Sequence, residues 1–439
     1  MTFSHPADSN LSTRLGQALT PEQGALLRLV TDEASRRQLP LYIVGGFVRD
    51  LLLGCPATDF DLVVEGEAIP FAHSLAGNYG GKVTIHSRFG TATWNLDGGT
   101  LNRLGIPTVE HTSVLTLDFV SSRSETYKHP AALPTVKHGK LTDDLQRRDF
   151  TINTLALRLD GEVFGELRDD LGGLDDLQKG LVRVLHPLSF IDDPTRLFRV
   201  VRYADRQGFQ ITPETLALIP EALPGIDLLS AERVRHELDL ILEEEKAASM
   251  LKRLAELGIL AAVHPALKWK HSTQTRFVKG LAAAQGFERP PSRRMLGWSL
   301  WLMDVPHPDL ENIEKRLHFE AGLRELLLAA SALFAGVNSL AGKKPSRCVA
   351  VLDQIPLKAV QAVSLALPAS PRRQLLHDYL ETWRHVKPRT TGHDLKKRGL
   401  TPGPAYKSIL RHLCEAWLDG EVMTVDEEMA LLEKLTKKV

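Results

Sequence analysis

Apolar and polar residues follow a strand period in the first third of the chain and a helical period through most of the rest. Short apolar runs bounded by glycine, proline or polar residues predict five strands. These runs lie at residues 41–44, 60–64, 82–86, 91–96 and 114–121. The intervening residues 47–53 and 67–79 have helical spacing. The chain from residue 41 to about residue 165 therefore predicts an α/β unit.

The flanking segments predict a helical protein around that unit. Residues 21–38 carry a helical apolar stripe, whereas residues 1–20 are polar and expected to be loose. Residues 130–139, which include two prolines, are expected to form a loop, and residues 143–159 a helix or helix-turn. Beyond about residue 185 the pattern is almost wholly helical, interrupted at proline-rich joints.

The expected fold class is an α/β head followed by an all-α neck, body and tail. A chain of 439 residues exceeds what one core usually supports, so several domains are expected. The predicted divisions are an N-terminal extension and helix (1–38), the head (39–165), a helical neck (166–270), a helical body (271–388) and a helical tail (389–439).

Composition indicates the cellular location of the protein but says less about its function. Lys+Arg and Asp+Glu each number 54, so the net charge is zero and any polyanion must bind at a local basic patch. The three cysteines (Cys55, Cys348, Cys414) are far apart and fit a reducing compartment. We find no apolar run of about 18 residues and no signal-peptide core before residue 40. A cytoplasmic location without membrane association is expected.

The chemistry is most visible around two aspartates, Asp59 and Asp61. Residues i and i+2 of a strand point to the same face, so the two carboxylates are expected to project together. Two neighbouring carboxylates repel each other unless a cation lies between them. Carboxylates suit Mg²⁺, which also binds substrate phosphates. Just upstream, Gly45 and Gly46 precede a helix N-terminus that offers backbone N–H groups to a phosphate, and Arg49 adds a cation. The combination indicates nucleotidyl transfer.

Each of these residues also has a plain structural interpretation. An Asp-x-Asp pair is common in solvated turns, and a Gly-Gly pair often marks only a tight turn. Asp118, on the strand at residues 114–121, is a candidate third carboxylate that binds a metal or accepts a proton. It is equally a plain solvent-facing strand residue.

A second polar segment, residues 147–156, contains two arginines, an acid and an amide. Arg148 and Asn153 are candidates to contact phosphate and ribose hydroxyls, and Asp149 to accept from a sugar hydroxyl or to orient Arg148. The alternative is an exposed helix with an ion pair, which the apolar neighbours Phe150 and Ile152 disfavour.

A third segment, residues 190–209, places arginines on one face of a predicted helix. Asp193 followed by Pro194 suits the start of a helix, so capping is its ordinary interpretation. Arg196, Arg199 and Arg202, however, recur every three residues with no acid at the i+4 position. An anionic or base-bearing ligand would relieve their mutual repulsion.

These stretches resemble the class II tRNA nucleotidyltransferases and their poly(A) polymerase relatives, a branch of the DNA polymerase β superfamily. The sequences GGFVRD with DFD, RRDFTIN and DDPTRLFRVVRY match the metal, ribose and nucleotide-template motifs of that family in order. Residues 392–404 resemble its tail motif. The likeness extends from about residue 25 to residue 435, and implies a polymerase-β-type nucleotidyltransferase head.

The resemblance implies a role for each matching residue. Asp59 and Asp61 would bind catalytic metal ions, and Gly46 and Arg49 would contact the triphosphate. The sugar-binding residues would be Arg148, Asp149 and Asn153, and the base would be read by Asp193 and Arg196 with Arg199 and Arg202 in support. The family usually has Glu-Asp where this chain has Asp192-Asp193, which leaves the orienting contact of residue 192 open.

An Asp/Arg pair is chemically suited to select cytosine and adenine. Both bases present an amino donor beside a ring-nitrogen acceptor, so a carboxylate accepts from the first and an arginine donates to the second. Uracil and guanine reverse this pattern and would leave both side chains unpaired. CTP and ATP are therefore the expected substrates. The resemblance implies that they are added to the 3′ end of tRNA, and two Mg²⁺ ions are the expected cofactors.

Several functions remain open at this stage. Enzymes that add CCA, CC alone or A alone share these motifs. Such enzymes tend to differ in the loop that corresponds to residues 124–142. Poly(A) polymerase activity on other RNA is a further alternative. An antibiotic nucleotidyltransferase fits poorly with the long helical tail, and a non-catalytic RNA-binding protein fits poorly with the complete set of carboxylates.

The basic tail is the candidate surface for RNA. Residues 384–411 carry eight lysines and arginines against one acid, Asp394, with glycines and prolines that predict a helix-turn-helix-like joint. The predicted RNA contacts are Lys396, Lys397, Arg398, Lys407 and Arg411. A solvated basic face is the alternative. The sequence leaves the oligomeric state undetermined.

Overall fold

The computed structural model divides the chain into two compact units, Met1–Ser230 and Ala231–Val439. It describes residues 11–56, 60–86, 90–106, 114–126, 135–287 and 290–437. The first unit contains all the described strands, and the second is helical. The predicted order of an α/β head followed by an all-α remainder is confirmed, whereas the finer division into neck, body and tail stays a prediction.

A seven-stranded mixed sheet forms the centre of the first unit. The strands of the unit are β1 (Leu41–Val44), β2 (Asp61–Val64), β3 (Lys82–His86), β4 (Thr91–Asp97), β5 (Val114–Ser121), β6 (Arg123–Thr126), β7 (Thr135–His138), β8 (Ala156–Arg158), β9 (Leu167–Arg168), β10 (Leu181–Val182) and β11 (Gln210–Ile211). The sheet order is β3-β4-β5-β2-β1-β8-β9. β2 and β5 run parallel at its middle, which places Asp61 directly beside Asp118.

The first unit also contains eleven described helices, one of which is joined to the sheet by a pair of buried aromatic rings. The helices are α1 (Ser12–Ala18), α2 (Pro21–Arg36), α3 (Gly46–Leu53), α4 (Ala68–Tyr79), α5 (Gly98–Arg103), α6 (Leu141–Gln146), α7 (Gly173–Lys179), α8 (Ser189–Asp192), α9 (Arg196–Gln207), α10 (Pro213–Ala217) and α11 (Ile219–Ala222). Phe71 of α4 meets Phe119 of β5 edge to face, with 5.4 Å between ring centroids. Both rings are fully buried, so they fix α4 against the strand that carries Asp118.

Three local expectations were wrong. Part of residues 1–20, expected to be loose, forms α1, because Leu11 and Leu15 are buried. Part of the expected loop at residues 130–139 is strand β7, which pairs with β6. The segment at residues 143–159 is helical only to Gln146 and then contains a single 3₁₀ turn, Thr151–Asn153, and strand β8. In each case pairing or burial against distant residues outweighed the local pattern.

Thirteen described helices build the second unit. They are α12 (Ala231–Glu243), α13 (Ala247–Glu256), α14 (Ile259–Val263), α15 (His271–Ala283), α16 (Arg293–Leu302), α17 (His307–Leu317), α18 (Ala321–Gly336), α19 (Pro345–Leu352), α20 (Leu357–Ala366), α21 (Pro371–Glu381), α22 (Gly392–Lys397), α23 (Pro404–Leu418) and α24 (Val425–Thr436). Trp298 and Trp301 stack in parallel in its core with 5.2 Å between ring centroids.

By length and composition alone, one helix among the described residues could span a membrane, at Ala321–Leu340. Its apolar window is 44% buried inside the protein. Leu323, Leu326 and Leu327 are among the buried residues of α18.

A buried carboxylate organises the C-terminal helices. Glu428 on α24 is 1% exposed. It accepts hydrogen bonds from the backbone N–H groups of Arg389 (2.9 Å) and Thr390 (2.6 Å), from the Thr390 hydroxyl, and from the Trp417 indole (2.5 Å). Burial alone would raise the pKa of Glu428, but these hydrogen bonds outweigh it and hold the pKa below its ordinary value. The ionised carboxylate thus ties α23, α24 and the segment before α22 together.

We expect Glu428→Gln to destabilise the second unit, because its amide nitrogen places a donor where the carboxylate accepts. Loss of these bonds costs about 1–3 kcal/mol, and each kcal/mol lowers the melting temperature of a domain this size by roughly 2–4 °C. A lowered pKa contributes stability above the unfolded value of about 4.3, and that stability is lost as pH falls through the folded pKa. Thermal scans should therefore show the deficit at pH 7 and a shrinking deficit below pH 4.

Glu433→Gln is the matched control, since Glu433 is exposed on the same helix. A deficit in Glu428→Gln that is independent of pH would contradict the role of the ionised carboxylate.

Candidate active site

Two aspartates lie side by side at the centre of the sheet. Asp61 begins β2, Asp118 is its register partner on β5, and both side chains are exposed. The Thr93 hydroxyl, on the next strand, donates a 2.5 Å hydrogen bond to Asp118 Oδ1. The pairing of β2 with β5 thus brings Asp118, the candidate third carboxylate, next to Asp61, whereas Asp59 lies outside the described residues.

The aspartate pair opens onto a cleft of about 310 Å³. Asp61 and Asp118 line it together with apolar residues of the sheet and of α2. Among the described residues no group of three His, Cys, Asp or Glu side chains has metal-binding geometry. Two exposed carboxylates with an open cleft nevertheless supply the hard oxygen donors that Mg²⁺ takes from proteins, with room for substrate oxygens.

A glycine turn leads from β1 into α3. Gly45 has φ +73°, a conformation that disfavours residues with a Cβ atom, and α3 has no side-chain cap at its N-terminus. A Cβ on Gly45 would lie 2.5 Å from Arg148 Nη1. The absence of a side chain therefore lets the Arg148 guanidinium rest directly on the turn, where Gly45 and Gly46 were expected to receive a phosphate.

Arg148 is the cation best placed at this turn. Its Nη2 donates to Asp144 at 3.3 Å, and its Nε is buried without a hydrogen-bond partner among the described residues. A buried donor without an acceptor is costly, which favours a ligand oxygen at this position. The expected contact of Arg148 with phosphate or ribose stays a prediction.

Asp149 contacts a different arginine from the one expected. One of the two roles expected of it was to orient Arg148, but its Oδ2 accepts bonds of 2.9 and 2.6 Å from Arg199 on α9. The other role, accepting a hydrogen bond from a sugar hydroxyl, stays a prediction. Asp149 Oδ1 accepts from the Asn153 amide at 2.9 Å. Burial would raise the pKa of Asp149, but the charge of Arg199 and these hydrogen bonds hold it below its ordinary value. Asp149 therefore joins residues 147–153 to α9.

Arg49 extends the same network. Its Nη1 donates to Asn153 Oδ1 at 2.7 Å, and its Nε and Nη2 donate to the Asp50 carboxylate at 2.8 and 2.9 Å. The side chain is 3% exposed. Arg49 thus braces the helix that follows the glycine turn, and its predicted contact with the triphosphate stays a prediction.

The two expected base-reading residues lie in the turn between α8 and α9 (Asp193) and at the first position of α9 (Arg196). Asp193 Oδ1 accepts from the backbone N–H (3.1 Å) and hydroxyl (2.7 Å) of Thr195. The N-cap of α9 is Thr195, so the alternative expectation that Asp193 caps the helix was wrong, and Asp193 instead stabilises the turn before it. Arg196 is 5% exposed, and its Nη2 donates to the Arg147 carbonyl at 2.7 Å. The shorter Asp192 lies 3.9 Å from His186 Nε2, which gives it a neighbour within the site.

A second cleft, of about 430 Å³, opens beside this turn. Arg147, His186, Asp192 and Arg196 are among its lining residues. Burial lowers the pKa of His186, with Asp192 opposing and Arg196 reinforcing that shift. The cleft is polar and large enough for a nucleobase.

Two contributors were missed by sequence reasoning. Thr93 was not singled out, although its strand register against Asp118 follows once β4 and β5 pair. Tyr203, one helical turn after Arg199, lies with its ring near three guanidiniums. The signal that could have identified Tyr203 in the sequence was its i+4 spacing from Arg199.

Arg202, three residues after Arg199 on α9, is 6% exposed and so is buried in the site.

The predicted RNA-binding residues are exposed on two adjacent helices. Thr391 and Asp394 form a capping box at the start of α22, and Gly399 (φ +84°) follows its end. The exposed basic side chains are Lys396, Lys397, Arg398, Lys407 and Arg411. The helix-turn-helix-like joint is confirmed, and RNA binding there stays a prediction.

Two family models match the chain. Residues 41–183 match the Poly A polymerase head domain, and residues 208–270 match the probable RNA and SrmB-binding site of polymerase A.

Named relatives extend over most of the chain. This chain is 34% identical to the A-adding tRNA nucleotidyltransferase of Geobacter sulfurreducens. The match covers 94% of this chain but only 47% of that relative, so the chain spans about half of the relative's length. The A-adding tRNA nucleotidyltransferase of Halalkalibacterium halodurans is 32% identical, with 92% of this chain and 91% of the relative covered. The CC-adding tRNA nucleotidyltransferase of Deinococcus radiodurans is 30% identical, with 94% of each covered.

Solved structures show the same fold. The Thermotoga maritima CCA-adding enzyme complexed with tRNA has a TM-score of 0.78 and 26% identity, with 98% of both chains covered. A CCA-adding enzyme complexed with ATP has a TM-score of 0.77 and 27% identity, and one with CTP has 0.75 and 26%; each covers 98% of this chain and 97% of the other. The chain belongs to the tRNA nucleotidyltransferase family, with a head of the poly(A) polymerase type.

Proposed function

We propose that this protein adds CCA, or its CC or A part, to the 3′ end of tRNA from CTP and ATP. The observation that carries the proposal is the pairing of Asp61 with Asp118 on parallel strands, in the same unit as a glycine turn under Arg148. Carboxylates for a metal and a cradle for a phosphate are the two requirements of nucleotidyl transfer. The names of the relatives and the bound ATP, CTP and tRNA of the solved structures support the same reaction.

Asp59 and Asp61 are the residues that would hold two Mg²⁺ ions, and Asp118 lies beside Asp61. When bound, Mg²⁺ would neutralise charge on the phosphates and favour ionisation of the attacking 3′-hydroxyl. Thr93 fixes the orientation of Asp118 by its hydrogen bond. Asp118 would then support the metal or accept the proton of the hydroxyl.

The other residues bind and orient the nucleotide. The backbone at Gly45 and Gly46, with Arg148, receives the triphosphate. Asn153 and Asp149 address the sugar while tying the site to α9. Asp193 and Arg196 read the base edge, with cytosine and adenine sharing the required pattern.

Addition of the terminal adenosine alone is a narrower second candidate. The relatives that are 34% and 32% identical are both named as A-adding. Transcripts of tRNA that lack one or three 3′ nucleotides, incubated with CTP, ATP or both, separate the candidates. An A-adding enzyme extends only the transcript that lacks one nucleotide, and poly(A) polymerase activity gives a ladder with ATP.

A cytoplasmic location fits this function. Cys55, Cys348 and Cys414 are all free thiols in the structure. Free cysteines are typical of a reducing compartment, where tRNA maturation would supply the substrate.

We expect Asp61→Asn and Asp118→Asn each to lower kcat at least about 100-fold, as removal of a group that stabilises transition-state charge does. Binding of tRNA, measured by filter retention, should change little, because neither residue contacts a polyanion. Glu162→Gln, at an exposed carboxylate of the same unit, is the control. If both variants kept a tenth or more of the wild-type rate, the proposed catalytic role of the two carboxylates would be wrong.

We expect Asp193→Asn to relax base selection. The amide oxygen still accepts from Thr195, whereas the amide nitrogen donates where the carboxylate accepted. The kcat/KM ratio of CTP to UTP should fall on the order of tenfold or more, the value of one mispaired group. Thr195→Ala, which loses the Thr195 hydroxyl donor but leaves the base edge intact, is the control. A uniform loss with unchanged ratios would leave Asp193 with only its turn role.

We expect the triple variant Lys396→Gln/Lys397→Gln/Arg398→Gln to raise KM for tRNA and to flatten the salt dependence of tRNA binding. Each lost phosphate contact lowers the slope of log K against log salt by about one. The control replaces the exposed Lys252, Lys315 and Lys358 by Gln. An unchanged slope in the tail variant alongside normal folding would place the tRNA surface elsewhere, and the arginines at Arg293 and Arg294 are then the next candidates.

A further inference from the structure

Tyr203 is an aromatic residue surrounded by cations. The guanidinium carbons of Arg49, Arg199 and Arg202 lie 5.1, 5.5 and 5.2 Å from its ring centroid. Phe150 meets the ring edge to face, with 5.7 Å between centroids. A guanidinium within about 6 Å of an aromatic ring centroid is attracted by the ring quadrupole. Three such contacts on one ring make Tyr203 a hub between α3 and α9.

The hub lies next to the glycine turn. A Cβ on Gly46 would lie 3.5 Å from Arg49 Nη2, so this guanidinium fills the space between the start of α3 and the Tyr203 ring. Arg148 rests on the preceding glycine. Any displacement of Arg49 is therefore felt at the backbone that would receive the triphosphate.

The contacts around the ring form a closed circuit. Arg49 donates to Asn153 at 2.7 Å, Asn153 donates to Asp149 at 2.9 Å, and Asp149 accepts from Arg199 at 2.6 Å. The guanidiniums of Arg199 and Arg49 both contact the Tyr203 ring, which closes the circuit. Arg49 and Arg199 are thus each held by hydrogen bonds and by contact with the ring, and Arg199 Nη2 also donates a long hydrogen bond of 3.4 Å to the Tyr203 hydroxyl.

A ring has an advantage over a carboxylate at this position. Asp50 and Asp149 already neutralise Arg49 and Arg199 in part. A further carboxylate would cancel more of the positive field, whereas a ring attracts the cations and adds no net charge. The field of the arginines then remains directed at an anion that binds at the turn.

We propose that Tyr203 is a positioning residue for the triphosphate, whose ring holds Arg49 beside the Gly45–Gly46 turn and packs against Arg199 and Arg202 of α9. The inference rests on the proposed function, since it assumes that a nucleoside triphosphate binds at this turn. It assigns no contact between Tyr203 and the base, so base selection does not depend on the residue.

Replacement of Tyr203 by phenylalanine analogues with increasing numbers of ring fluorines tests the proposal. Fluorine withdraws electron density from the ring and weakens its attraction for cations while the shape is nearly kept. Calorimetric titration of the full-length protein with inorganic tripolyphosphate and with CTP should show a stepwise loss of affinity along the series. Tyr203→Leu should weaken both roughly tenfold, and Tyr203→Phe should remain near wild type. KM for CTP should rise with these losses while the ratio of CTP to UTP stays constant.

Tyr79→Leu is the matched control. Tyr79, on α4, also contacts an arginine (Arg36 of α2), but it is not part of the contacts around the glycine turn. Equal affinities along the fluorine series would overturn the proposal, as would a Tyr203→Phe loss equal to that of Tyr203→Leu, which would assign the effect to the hydroxyl. If Tyr203→Leu does not fold, the fluorine series still decides. A wild-type protein that binds neither CTP nor ATP would instead contradict the proposed function itself.

Discussion

Repulsion among arginines is the constraint on which the site depends. Arg49, Arg148 and Arg199 come from three separate segments and approach one glycine turn or its supporting network. Guanidiniums cannot lose their charge near neutral pH, so the protein has to compensate them. It does so with Asp50, Asp144 and Asp149, each bonded to one arginine of the group.

That compensation also explains how the first unit is held together around the site. Asp149 is 6% exposed and bonds to α9 across 50 residues of sequence, while Asn153 bonds to α3 across 104. A buried charge that loses its partner is strongly destabilising, so these bonds make the relative placement of α3, α9 and the Thr151–Asn153 turn a condition of folding. The proposed binding groups are thereby held in place by the fold itself, which would favour affinity and orientation for a nucleotide.

The aspartate pair illustrates a different principle. Asp61 and Asp118 are exposed, and their proximity follows from strand pairing rather than from charge compensation. The buried neighbours Leu62 and Phe119 fix the register, because a one-residue slip would expose them. The apolar core thus holds two like charges side by side, an arrangement that a divalent cation relieves.

The sequence by itself determined the fold class, the strand that carries Asp61 and the polar residues that lie around the candidate site, because these depend on local periodicity and on short motifs. It did not determine that β2 and β5 are neighbours, that Asp149 pairs with Arg199 rather than Arg148, or that residues 135–138 form a strand. Each of these depends on contacts between residues far apart in the chain, where pairing and burial outweigh local preference. Tyr203 was overlooked for the same reason, since only the tertiary structure brings Arg49 of α3 to its ring.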